Sequence, residues 1–139
     1  MGNHPAVCVT WYGATAFCDY YKYRLPTEDE WQAVADYDGS YIYGCGENID
    51  VTVANYNKEN PLELSAMPHT TPVGYYGGFG YGFSDVAGNV TEWTSSPKDD
   101  SHIAKGGCWG NWGSSCTVEA SFTYKPSTAN AYIGFRVCR

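Results

Sequence analysis

Apolar side chains recur at helical spacing in only two stretches of the chain. After Thr10, residues Ala14, Phe17, Cys18 and Tyr21 fall at i, i+3, i+4 and i+7. That spacing predicts a helix from Trp11 to Tyr21 with Thr10 as its N-cap and this face in the core. In RLPTEDEW, Thr27 and Glu30 stand three apart as a capping box, and Glu28, Asp29 and Glu30 fill the first turn, where the helix dipole favours acidic groups. Trp31, Val34 and Ala35 supply an apolar stripe, so a second helix ends near Asp36. The acidic run is a helix start rather than an acid and base pair.

Elsewhere the pattern is broken by glycine and proline. Residues 39–80 predict no helix: YIYGCG reads as a short strand entering a turn, and NKENPLELSAMPHTTP as a surface excursion bracketed by prolines. Val73 resumes an extended segment before GYYGGFGYG, whose glycine density allows only loop or bulged backbone. In FSDVAGNVTEW, the polar groups Asp85, Asn89 and Glu92 are embedded among Val86, Val90 and Trp93, which read as buried, so they need partners or an ion. Residues 94–104 read as a polar connection. Residues 103–108 and 134–138 read as strands that bracket an irregular segment.

That segment, KGGCWGNWGSSCTVEASFTYKPSTANAYIGFR, scatters Trp109, Trp112, Phe122, Tyr124 and Tyr132 among Gly, Ser, Thr and Asn. Amphipathic rings give contact area at low rotamer cost, and small polar neighbours give adaptable hydrogen bonds, so the stretch reads as a binding surface. Trp109 follows the Gly-Gly pair and is expected in the core; Trp112, Tyr124 and Tyr132 are expected as exposed contacts.

Composition narrows the partners. The chain has 139 residues, a length suited to one domain, and 8 basic against 15 acidic side chains give 8 − 15 = −7. A phosphate backbone is repelled by that balance, so nucleic acid is excluded as a partner. The imbalance sits in residues 1–100, because residues 101–139 carry four basic groups and only Glu119. No run of about 18 apolar residues is present, which predicts no membrane insertion. The start MGNHPAVCVT lacks the basic and apolar regions of a signal peptide, so a soluble chain without an address is expected. Six cysteines permit three disulfides or buried free thiols, and neither their spacing nor His4, His69 and His102 makes a zinc motif. Asn89-Val90-Thr91 is a glycosylation triplet of low specificity.

Four pieces in order, AVCVTWYGATAFCDYYKYRLPTEDEW, ANYN, YGFSDVAGNVTEW and KGGCW with a closing IGFR, resemble the formylglycine-generating-enzyme-type domains of the sulfatase-modifying factor family. The resemblance spans nearly the whole chain, from about Val7. Most members have strands and a helix before that point, which implies a pared-down domain or a truncated one. It also implies an α+β C-type lectin fold with two short helices, small antiparallel sheets and much loop, over 1–139 as a single domain.

The family holds enzymes and non-enzymes. In the oxidase, two cysteines bind copper. By position the first falls on Asn111 and the second on Cys116, with the active-site serine falling on Cys108. An amide cannot serve as a soft ligand for Cu(I), which weighs against catalysis, although Cys108 and Cys116 acting from shifted positions keeps a copper oxidase as the alternative. A pseudoenzyme or structural subunit is a further alternative. Within the family, the chain most resembles the variable proteins of diversity-generating retroelements, with Gly106, Gly107, Trp109, Cys116, Pro126 and residues 133–136 in the register of fixed positions. This resemblance implies a hypervariable, ligand-binding segment over 106–136, with Gly110, Asn111, Trp112, Ser114, Ser115, Phe122, Tyr124, Asn130, Ala131 and Tyr132 as the contacts. It implies a protein or cell-surface ligand, a virus-encoded or surface-displayed setting, and no required cofactor. The family also implies a calcium ion on Asn89 and Glu92, whereas the residues alone read equally as caps on neighbouring backbone groups.

Overall fold

A computed structural model describes residues 2–57 and 69–139, so most of the proline-bracketed excursion lies outside the described residues. The elements are α1 (Trp11–Tyr21), α2 (Glu28–Ala35), β1 (Thr91–Lys98), β2 (Ser101–Lys105), a 3-10 turn (Gly113–Ser115), β3 (Ser121–Tyr124) and β4 (Ile133–Phe135). They form one four-stranded sheet in the order β3-β2-β1-β4. β1 pairs antiparallel with β2, and β2 with β3, but β4 runs parallel to β1. The sheet is therefore mixed, not a set of small antiparallel ones.

Both helix starts are built as the pattern requires. The Thr10 side chain accepts from the Gly13 N–H at 3.0 Å. Thr27 and Glu30 form the reciprocal capping box at 3.1 and 2.9 Å. Glu30 also takes a bidentate Arg24 guanidinium at 2.6 and 2.7 Å. Only part of the α1 face is core: Ala14 and Cys18 are buried against Leu25, Trp93, Ala104 and Ile133, while Phe17 and Tyr21 are exposed. α1 touches the sheet along a narrow seam; Phe17 meets Tyr21 at 4.7 Å and reaches Phe135 of β4 edge-on at 5.4 Å.

Several extended readings are corrected. Tyr43 in YIYGCG makes only isolated bridges, to Gly46 and Thr117, and Val73 lies in a turn. Residues 94–104 are not a connection, since β1 runs to Lys98 and Asp99, at φ +54, turns it into β2. β1 escapes pattern reading because Trp93 is its one large apolar residue, Thr91 and Thr94 are buried, and Pro97 sits beyond a register shift. β2 stops at Lys105 and β4 at Phe135, and the tail judged irregular contains β3. All six cysteines are free thiols.

Two cations, Lys105 fully buried and Arg136 half-buried, help tie α2 to the sheet, the second through Glu92. Lys105 is fully buried; its Nζ donates to Gln32 Oε1 at 3.3 Å and Ser121 Oγ at 3.2 Å, lies 3.7 Å from Glu28, and sits over the Trp31 ring. Burial pushes its pKa down, and Glu28 pulls it back up. Arg136 grips Glu92 through Nε at 2.5 Å and Nη2 at 2.7 Å, and Trp31 Nε1 donates to the same carboxylate at 2.6 Å.

Candidate functional site: the tail cavity

The tail leaves the sheet at two glycines. Gly106 (φ +92) and Gly107 (φ +68) adopt left-handed backbone that glycine enters at little cost. A Cβ on Gly107 would lie 2.7 Å from both Cys116 Sγ and the Ser115 carbonyl, so no side chain fits. Beyond this turn the backbone is held from outside. The Trp109 N–H donates to the Asn89 carbonyl at 3.0 Å, and the Asn57 N–H to the Asn111 carbonyl at 2.7 Å. On the return path, the Trp11 N–H donates to the Pro126 carbonyl at 3.1 Å and the Cys8 N–H to the Asn130 carbonyl at 2.9 Å.

These ties gather five of the ten expected contact residues, Gly110, Asn111, Tyr124, Asn130 and Tyr132, around a cavity of about 320 Å3, with Cys108 in its wall. Each amide spends its oxygen on a backbone N–H, Asn111 on Cys108 and Asn130 on Tyr132, both at 2.9 Å. Their NH2 groups have no partner among the described residues, and the cavity, lined by no ionic side chain, is uncharged and rich in donors.

The other expected contacts surround it unevenly. Trp112 is 70% exposed and Ser114 is exposed, whereas Ser115, Phe122 and Ala131 are half-buried. Tyr132 is 43% exposed and stacks on Trp109 at 4.9 Å. Trp109 is buried as expected, donates Nε1 to the Ala131 carbonyl at 3.2 Å, and has His69 on it at 4.5 Å. Tyr124 departs from expectation. Strand alternation in β3 sets it beside Phe122 against the core, with its ring edge-on to Trp93 at 5.9 Å, and burial pushes its phenol pKa up.

The thiol pair is split: Cys108 meets the cavity, and Cys116 is sealed behind Gly107. Burial raises the Cys108 pKa and drives that of Cys116 up to about 12, so both are protonated at neutral pH. With an amide at 111 and one thiol out of reach of the cavity, this donor set does not fit a copper ion open to a substrate.

The calcium pair is also split. Asn89, buried at φ +62, accepts the Thr71 N–H at 3.0 Å and donates to the Thr71 carbonyl at 3.3 Å. Both Glu92 oxygens are engaged by Arg136 and Trp31. Asn89 thus caps backbone and Glu92 neutralises a cation, and together they do not fit a shared calcium cradle. Sequence reasoning missed the Arg136–Glu92 pair and the wall role of Cys108. A lone arginine ending a buried strand beside a buried glutamate was the available signal for the first.

Comparison with known proteins places this geometry. A serine/threonine-protein kinase pkn1 from Chlamydia caviae is 32% identical over 159 residues, covering 99% of this chain and 24% of that protein. A formylglycine-generating enzyme from Streptomyces coelicolor is 29% identical over 164 residues, covering 96% of this chain and 52% of that enzyme. The chain therefore spans about a quarter and about half of these relatives. Among solved structures, Treponema denticola variable protein 1 superposes with a TM-score of 0.84 at 21% identity, over 98% of this chain and 71% of that one, which shows a shared C-type lectin-like fold. The sequence model of the sulfatase-modifying factor enzyme 1-like domain matches residues 1–139, and the chain belongs to that family.

Proposed function

We propose that this domain is a non-catalytic recognition module, the variable protein of a diversity-generating retroelement, which presents residues 106–136 to a protein or cell-surface ligand. The observation that carries this reading is that the tail backbone is fixed by bonds from Cys8, Trp11, Asn57 and Asn89, while Asn111, Asn130, Trp112 and Tyr132 offer side chains to a neutral cavity and its rim. A backbone pinned from outside its own segment keeps its course when exposed side chains change, which is what a diversified surface demands. The likeness to Treponema denticola variable protein 1 supports the same reading.

The test is a library randomised at Asn111, Trp112, Ser114, Asn130 and Tyr132 and selected against an arbitrary protein such as lysozyme. Most members should unfold cooperatively near the parent temperature, and binders should emerge. A library that is mostly unfolded sinks the proposal. A reverse transcriptase gene and a near-identical repeat of the tail-coding sequence in neighbouring DNA would support the retroelement assignment. The copper-oxidase alternative predicts stoichiometric Cu(I) uptake by the reduced protein and turnover of a cysteine peptide; the split thiol pair predicts neither.

A further inference from the structure

A second cavity, of about 330 Å3, lies between α2 and the chain that leaves β4, and it shares no wall residue with the tail cavity. Pro26, Trp31, Val34, Phe83, Val86 and Val137 make most of its wall. Phe83 is 40% and Val137 37% exposed, so apolar surface is left in water beside a hollow that could accept apolar matter. The wall also carries two guanidiniums, Arg24 and Arg136, each facing its own carboxylate, Glu30 and Glu92. Arg24 is committed to Glu30 through both terminal nitrogens. Arg136 is not fully committed. Its Nε and Nη2 serve Glu92 and the Ser84 and Asp85 carbonyls, and Nη1 has no acceptor among the described residues. A guanidinium has five N–H donors in a fixed fork, so two remain for an anion.

We propose that this cavity binds a short unbranched aliphatic carboxylate, with its chain against Trp31, Val34 and Val86 and its carboxylate on Arg136 Nη1. The volume is at the small end of ligand sites, which run from roughly 300 to 1,000 Å3. A peptide main chain is a poor occupant, because the apolar wall has few groups for its amides. The Pro26 carbonyl is already taken by the Ser95 N–H at 2.8 Å and Oγ at 3.2 Å. A hydrocarbon brings no polar group needing a partner, and a charge-assisted contact at one end fixes its direction.

The experiment is calorimetric titration with octanoate below its micellar concentration, with 1-octanol and octylammonium as neutral and cationic counterparts. Octanoate should bind one to one, octanol at least tenfold more weakly, and octylammonium not at all. Val34→Trp, which fills the hollow from α2, should abolish binding of both octanoate and octanol. Val137→Glu, at an exposed rim position, should weaken octanoate at least tenfold and leave octanol within twofold. If Val34→Trp does not fold, Val137→Glu carries the test alone. No saturable octanoate binding, octanol binding as tightly as octanoate, or octanoate affinity unchanged in Val137→Glu would each overturn the proposal.

Discussion

The frame under the tail and the rim above it treat polar groups in opposite ways. In the frame, Glu92, Lys105 and Arg136 are held among the core elements, and each reaches named partners at fixed distances. At the rim, Trp112 and Ser114 face water, and Asn130 uses one amide atom internally and leaves the other open. The frame is specified by pairing, so losing one member strands the other. The rim is specified by its backbone, so its side chains are replaceable.

Breaking the frame gives the largest effect. Glu92→Ala leaves the Arg136 guanidinium with only the Ser84 and Asp85 carbonyls, and should destabilise the fold by about 3–5 kcal/mol in urea unfolding. The same measurement on the Arg136→Leu, Glu92→Leu pair should recover part of that loss, because both charges of the pair go together while the buried Trp31 Nε1–H loses its acceptor. At the hinge between the regions, Gly107→Ala forces a side chain into left-handed backbone and into Cys116. About 1–3 kcal/mol of strain is expected, with added steric cost, read as a lower urea midpoint.

A smaller effect sharpens the frame side. Arg24 beside Glu30, together with the Thr27 N–H, holds that carboxyl well below its ordinary 4.5, at about 2. A depressed folded-state pKa contributes stability above the ordinary value and loses it as pH falls from there through about 2. Carbon-detected titration should find the Glu30 midpoint near 2, moving up toward the ordinary value in Arg24→Gln.

Much of the frame was legible in the sequence because local chemistry dictates it. Thr10 and Thr27 announce helix starts whatever the tertiary context, and Gly106 and Gly107 announce a turn. β1 was illegible because its burial is conferred by neighbours: Thr91, Thr94 and Glu92 are polar residues buried once α2 and β4 cover them. The rim was legible at Trp112 and Tyr132, where rings sit among glycine and polar residues. It was misread at Tyr124, because the period-2 alternation of Phe122 and Tyr124 in β3 was lost among polar residues. The calcium and copper expectations came from family resemblance rather than from partners, and the partners found here, Thr71 for Asn89 and Arg136 for Glu92, are long-range contacts that no local spacing encodes.

The most direct measurement compares two thermal unfolding curves, those of Glu92→Ala and of the triple variant Trp112→Ser, Ser114→Ala, Asn130→Ser. At roughly 3–5 °C per kcal/mol for a chain of this length, the single frame change should lower Tm by about 10–20 °C, and the three rim changes together by less than about 5 °C. A triple variant that melts as low as Glu92→Ala would contradict the account, because the rim would then be part of the core.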